Sequence, residues 1–103
     1  MGKTWTEEEQ ILALNLYFKL PFGKLDQRTT DVQQLAELLD RTPSSVAMKL
    51  SNYAALDETL DRKGLSNTSN KDERIWNRYW QNLDELGTVS EYLRQELSDE
   101  QER

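Results

Sequence analysis

The side chains with the clearest potential for binding chemistry lie in one short segment, RTPSSVAMKLSNYAALD, at residues 41–57. At about 100° per residue, its apolar residues share one side of a helix and its polar residues share the other. The polar side carries Ser44, Ser45, Met48, Ser51 and Asn52, with Lys49 on its flank. Such groups can bond to base edges in the DNA major groove, where Asn pairs bidentately with adenine. No acidic residue occurs between Arg41 and Leu56. The candidate base contacts are Ser44, Ser45, Lys49 and Asn52.

Residues around this segment are candidates for contacts with DNA phosphates. Thr42 followed by Pro43 predicts a helix start, because Thr is a good N-cap and Pro fits the first helical position. The free N–H groups of a helix start bind phosphate readily. The predicted phosphate contacts are Arg41, Thr42, Lys63 and Arg74. Basic residues that could continue a phosphate path are Arg62, Lys71 and Arg78, although ordinary surface solubility explains them equally well.

The same composition argues against catalysis. The chain contains no His and no Cys, which removes the commonest general base and the usual zinc ligands. Acidic groups at 57–61 and 84–85 lack the spacing of a calcium loop, so a solvated surface is expected. We therefore predict no catalytic centre, no metal site and no cofactor. Trp76, Tyr79 and Trp80 could stack on bases, but their helical spacing favours the core.

Charge is distributed unevenly along the chain. Its 103 residues suit one domain, and its formal net charge is -6. Residues 81–103 hold two basic and seven acidic residues, whereas residues 41–80 hold seven basic and five acidic residues. DNA affinity rises with the number of phosphates neutralised, so weak, salt-sensitive binding to double-stranded DNA is expected. The lack of Cys and of a membrane-length apolar run predicts a cytoplasmic protein without a membrane contact.

Capping signals and apolar spacing predict an all-α fold in a single domain, residues 1–103. Three helices are predicted over residues 6–20, 30–39 and 43–55, with Thr6 and Glu9 forming a capping box at the start of the first. The short Asp40-Arg41 turn predicts a helix-turn-helix core over about residues 5–56. One or two further helices extend this core over about residues 70–100.

The C-terminal extension has its own start and stop signals. Ser69 and Asp72 predict the start of a fourth helix, and Gly87 predicts its end. Thr88 with Glu91 then predicts the cap of a last amphipathic helix.

Three stretches carry a family resemblance: WTEEEQILALNLYFKLPFGKL, LAELLDRTPSSVAMKLSNYAALD and RKGLSNTSNKDERIWNRYW. They resemble the N-terminal domain of bacterial HNH endonuclease-like proteins, which are often described as restriction endonucleases. The likeness spans Trp5 to about Leu97. WTEEE and RTPSSV also resemble Myb or SANT-type tri-helical domains over a shorter length.

The resemblance implies a role in DNA targeting without catalysis. In that family the nuclease centre lies in a separate C-terminal domain built around His, Asn and a divalent metal. This chain has no His, so the implied function is a DNA-contacting module related to such a nuclease. A C-terminal nuclease domain is then an expected partner.

The sequence is also compatible with a second function, protein–protein interaction. The acidic C-terminal helix carries Tyr92, Leu93 and Leu97, which could dock a partner protein or form a homodimer. The DNA hypothesis requires that the outward side of the segment after Pro43 be open to solvent. It also requires that Glu96, Asp99 and Glu100 do not cover that side.

Overall fold

The computed structural model describes residues 4–58 and 68–101, and these ranges confirm the predicted all-α class. They contain five α-helices: α1 (Glu7–Lys19), α2 (Thr30–Leu39), α3 (Pro43–Leu56), α4 (Asn70–Tyr79) and α5 (Leu83–Gln101). A short 3₁₀ helix, Phe22–Lys24, lies between α1 and α2. Within the described ranges there is no β-strand, and no helix is long and apolar enough to cross a membrane.

Helix α1 is the centre of the molecule. Its start is the predicted capping box, in which Thr6 Oγ1 accepts from the Glu9 N–H at 3.1 Å and Glu9 Oε1 accepts from the Thr6 N–H at 2.9 Å. Every side chain from Gln10 to Tyr17 is buried. A helix buried all round must be enclosed by other elements, and α1 indeed contacts each of the other four helices.

A tight turn sets the direction of α3. Asp40 adopts the left-handed conformation with φ 56° and ψ 48°, which ends α2. The Arg41 N–H donates to the Ala36 carbonyl at 2.8 Å, a closure that satisfies an end carbonyl of α2. Thr42 Oγ1 then accepts from the Ser45 N–H at 3.1 Å, with Pro43 at the first helical position. The predicted start of α3 is thus confirmed.

The boundary between α4 and α5 differs from the prediction. The capping box of Ser69 and Asp72 is present, but α4 ends at Tyr79. Helix α5 begins at Leu83 and continues through Gly87, so the predicted stop there and the predicted cap at Thr88 are wrong.

Asn82 provides the physical reason for the earlier break. Its N–H donates to the Tyr79 carbonyl at 2.8 Å, and its own carbonyl accepts from the Leu86 N–H at 3.1 Å. Its side-chain amide donates to the Glu85 carboxylate. Gly within a helix costs only about 1 kcal/mol relative to Ala, and burial of Leu86 and Ser90 holds α5 against the core across Gly87.

Aromatic residues of three helices, α1, α3 and α4, meet in the core. The Trp76 ring stacks on the Phe18 ring at 5.4 Å and on the Tyr53 ring at 6.4 Å, and Tyr17 meets it edge-on at 5.9 Å. Trp76 and Tyr79 are buried, as predicted, whereas Trp80 is 40% exposed. Trp76 therefore packs α4 against α1 and α3.

Candidate nucleic-acid interface

The outer side of α3 is open to solvent. Ser44, Met48 and Ser51 are exposed there, and Met48 has 65% of its surface accessible. Helix α3 packs against α1, α2 and α4, whereas α5 packs against α1 and α4 and contacts the end of α2, where Gln101 Nε2 donates to the Leu38 carbonyl at 2.8 Å. Because Ser44, Met48 and Ser51 are exposed with α5 in place, the acidic residues of α5 do not cover them. We call Ser44, Ser45, Met48 and Ser51 the open face of α3.

Lys49 does not lie on the open face, contrary to prediction. Its side chain is buried, its Nζ lies 2.7 Å from Asp72 Oδ1, and it also lies 5.2 Å from the centre of the Trp5 ring. The helical wheel placed Lys49 on the flank of the polar side. That flank faces the start of α4, so the ammonium group pairs with a carboxylate of the protein.

Asn52 also contacts Asp72. The residue is half-buried, and its Nδ2 lies 3.4 Å from Asp72 Oδ2. This is a long hydrogen bond, but it orients the amide toward α4. The predicted exposure of Lys49 is thus wrong, whereas Asn52 is half-buried and shares the contact with Asp72.

Asp72 is the centre of a buried polar network that the sequence did not reveal. It is 1% exposed, and it accepts from Gln10 Nε2 at 2.8 Å and from the Ser69 N–H at 3.1 Å, besides Lys49 and Asn52. One carboxylate therefore links α1, α3 and α4. Its capping role was visible in the Ser-x-x-Asp spacing, but its contacts with α1 and α3 depend on tertiary packing.

The network also reaches a buried phenol. Tyr53 Oη donates to the Gln10 carbonyl at 3.3 Å. Burial raises the pKa of Tyr53, and the negative charge of Asp72 raises that pKa further. Tyr53 is therefore a neutral, hydrogen-bonded core residue.

Arg41 is engaged within the fold, contrary to its predicted role at phosphate. Its side chain is only 4% exposed, and its Nη2 and Nε donate to Glu9 Oε1 at 2.8 Å and Oε2 at 3.1 Å. Its Nη2 also donates to the Thr4 carbonyl at 3.0 Å, and the guanidinium lies 4.3 Å from the Trp5 ring centre. Arg41 fastens the start of α1 to the α2–α3 turn.

This bidentate pair changes the acidity of Glu9. Burial raises its pKa, but hydrogen bonds from the Arg41 side chain and the Thr6 N–H outweigh burial. The positive charge of Arg41 acts in the same direction. The pKa of Glu9 therefore lies below its ordinary value, and the carboxylate is ionised at neutral pH.

The other predicted phosphate contacts have different positions. Thr42 and Arg74 are exposed, whereas Lys63 lies outside the described residues, as does Arg62. Lys71 Nζ donates to the Trp5 carbonyl at 2.9 Å, and Arg78 pairs with Glu7 at 2.9 Å. Thr42 and Arg74 are thus the predicted phosphate contacts that the structure places at the surface.

The surviving candidates gather at the first half of α3. Ser44 is exposed, Ser45 is half-buried, and Thr42 Oγ1 lies 3.2 Å from Ser44 Oγ. Met48 and Ser51, which are not among the predicted base contacts, lie on the same side. Their outward position follows from the helical wheel, but preference for charged and amide side chains favoured Lys49 and Asn52.

The predicted interaction surface of α5 is divided by the fold. Leu93 and Leu97 are half-buried and pack against the core, whereas Tyr92 points outward with 65% of its surface exposed. Tyr92 therefore lies on a different side of α5 from Leu93 and Leu97, and partner docking by this helix stays a prediction.

Neither metal-binding groups in the described residues nor similarity to known proteins indicates a second functional site. Across the parts of the chain that the structure describes, no group of three or more Asp or Glu residues could hold a metal ion. Comparison of the chain with models of known protein families, with curated proteins and with solved structures finds no match.

Proposed function

We propose that this chain is a non-catalytic module that contacts double-stranded DNA, with the open face of α3 in the major groove. The observation that carries the proposal is the exposed, acid-free surface formed by Ser44, Met48 and Ser51. This surface belongs to the second of two helices joined by a tight turn, the arrangement by which helix-turn-helix proteins present a reading helix.

The chemistry of the open face suits base edges. The hydroxyl groups of Ser44, Ser45 and Ser51 can donate to or accept from bases, and the Met48 side chain can contact a thymine methyl group. Thr42 and the first N–H groups of α3 can approach a phosphate, as helix starts commonly do. Arg74 supplies an exposed positive charge on α4.

Affinity is expected to be low because two cations are neutralised within the fold. Arg41 pairs with Glu9 and Lys49 pairs with Asp72, so neither contributes fully to counterion release. A weak module still adds specificity when a larger protein supplies the remaining affinity. The resemblance to the N-terminal domain of HNH endonuclease-like proteins supports such an arrangement, with a nuclease as the larger protein.

The proposal is tested by fluorescence anisotropy with mixed-sequence DNA duplexes at low salt. Ser44→Glu and Ser51→Glu should each weaken binding at least about tenfold, since a buried like charge in the groove costs more than 1.4 kcal/mol. Gln95→Glu is the matched control, because it adds the same charge on exposed α5. The control should weaken binding less than about threefold.

Two results would overturn the proposal. One is the absence of binding below about 100 μM, the weak limit of ordinary non-specific DNA binding. The other is equal weakening by Ser44→Glu and Gln95→Glu, which would reflect net charge rather than a defined face. Lys49→Glu is unsuitable for this test, because it would break the buried pair with Asp72.

A further inference from the structure

We infer that a groove along α4 and α5 docks a basic amphipathic segment of a partner protein. Three shallow depressions follow one another along this side. The first is lined by Leu56, Trp76 and Trp80, the second by Trp80 and Leu83, and the third by Leu83 and Tyr92. Shared walls at Trp80 and Leu83 make them one surface, which we call the aromatic groove.

Apolar exposure sets the aromatic groove apart from the rest of the surface. Trp80 is 40% exposed, Leu83 is 47% exposed and Tyr92 is 65% exposed. Met48, the other large hydrophobic residue that is exposed in the described ranges, lies on α3. Clustered apolar side chains at a surface mark binding sites more often than isolated ones do. Aromatic residues are also enriched where protein partners meet.

The charge of the groove selects the partner. Its walls carry five carboxylates, Asp57, Glu58, Glu73, Asp84 and Glu91, and no Lys or Arg lines it among the described residues. Asp57 already accepts from Tyr17 Oη. The Lys or Arg side chains of a partner would therefore pair with the exposed carboxylates, Glu58, Glu73, Asp84 and Glu91. Leu or Phe side chains between its basic residues would cover Trp80 and Leu83. The exposed Trp80 and Tyr92 rings can also accept a cation on their faces.

The same charge disfavours other occupants. DNA would meet carboxylates along the whole groove, and a second copy of this chain would bring like charges together. Basic amphipathic helices commonly bind by laying their apolar side into such grooves. This inference concerns a surface separate from the open face of α3, so it holds whether or not α3 binds DNA.

A synthetic amphipathic helical peptide of about 16 residues, with Arg and Leu at helical spacing, is the probe. Calorimetric titration into the full chain should give a dissociation constant below about 100 μM. Leu83→Ser and Glu91→Lys should each weaken binding at least about tenfold. Glu37→Lys is the matched control, since it reverses an exposed charge on α2; it should weaken binding less than about threefold. Circular dichroism of each variant confirms that it is folded.

Several outcomes of the peptide titration, or of light scattering on the protein alone, would contradict the inference. No binding below about 100 μM, or equal weakening by Glu91→Lys and Glu37→Lys, would exclude a defined basic-segment site. Equal affinity for a peptide with the same Arg content but Ser in place of Leu would also contradict it, because the apolar wall would then play no part. Light scattering that shows a dimer broken by Leu83→Ser would assign the groove to self-association instead.

Discussion

Lys49 Nζ lies 2.7 Å from Asp72 Oδ1, and this buried pair joins α3 to α4. The Asp72 carboxylate, which caps the start of α4, thereby neutralises the positive charge of Lys49 on the proposed reading helix. The pair fixes the orientation of α3 relative to the C-terminal extension, and it leaves the open face of α3 without a charged residue. The contact that positions α3 and the face proposed to recognise DNA therefore lie on different sides of the same helix.

Asp72→Asn should destabilise the fold strongly. The change leaves the buried Lys49 ammonium without its counter-charge, a loss that costs about 3–5 kcal/mol when a buried pair is broken. Urea denaturation followed by circular dichroism measures the change in the free energy of unfolding.

Glu73→Gln is the matched control for that variant. Glu73 is the next residue in the first turn of α4, and it is exposed. Its removal should cost less than about 1 kcal/mol, the size of a helix-end charge effect. Similar losses in the two variants would show that the network around Asp72 contributes little.

Stability should fall in acid partly through Glu9. Because its pKa is lowered in the folded state, its contribution is present above the ordinary pKa and is lost as pH falls through the folded value. Glu9→Gln should therefore flatten the decline of the free energy of unfolding between about pH 5 and pH 3. Denaturation midpoints across this range provide the measurement.

Glu8→Gln removes an exposed carboxylate from the same turn of α1 and leaves the Glu9–Arg41 pair in place. This variant should keep the acid dependence of the unchanged protein. An equally flat profile in both variants would contradict the assignment to Glu9.

Substitutions at two neighbouring positions of α5 should differ greatly in their effect on the free energy of unfolding. Leu93 packs against the core, so Leu93→Asp should cost about 2 kcal/mol and lower the melting temperature by about 10 °C. Tyr92→Asp alters an exposed side chain, and it should change the free energy of unfolding by less than about 0.5 kcal/mol. Thermal melts of both variants test the orientation of α5; comparable losses would show that the orientation is wrong.

Local signals in the sequence predicted much of the fold. The starts at Thr6, Thr42 and Ser69 are recognisable because each cap bonds a backbone group three residues away. The break before α5 was missed because Asn82, rather than a Gly or Pro, organises it. Gly87 was instead the predicted end of the fourth helix. The structure tolerates a Gly within α5 because neighbouring residues of the helix are buried.

The site was harder to predict because its charges pair over long separations. Arg41 meets Glu9 from 32 positions away, and Lys49 meets Asp72 from 23 positions away. A helical wheel shows which side of α3 is polar, but it carries no information about which neighbouring element contacts that side. The outward positions of Ser44 and Ser51 follow from the wheel alone. The burial of Lys49 could be predicted only with knowledge of how α4 packs.

The central claim is that the open face of α3 is the surface that meets DNA. The most direct measurement is a titration of the ¹⁵N-labelled protein with a short DNA duplex, followed by amide chemical shifts at low salt. The account predicts the largest shifts in the amides from Thr42 to Ser51, with the α5 amides nearly unchanged. Shifts absent from Thr42–Ser51, or concentrated along α4 and α5, would contradict it.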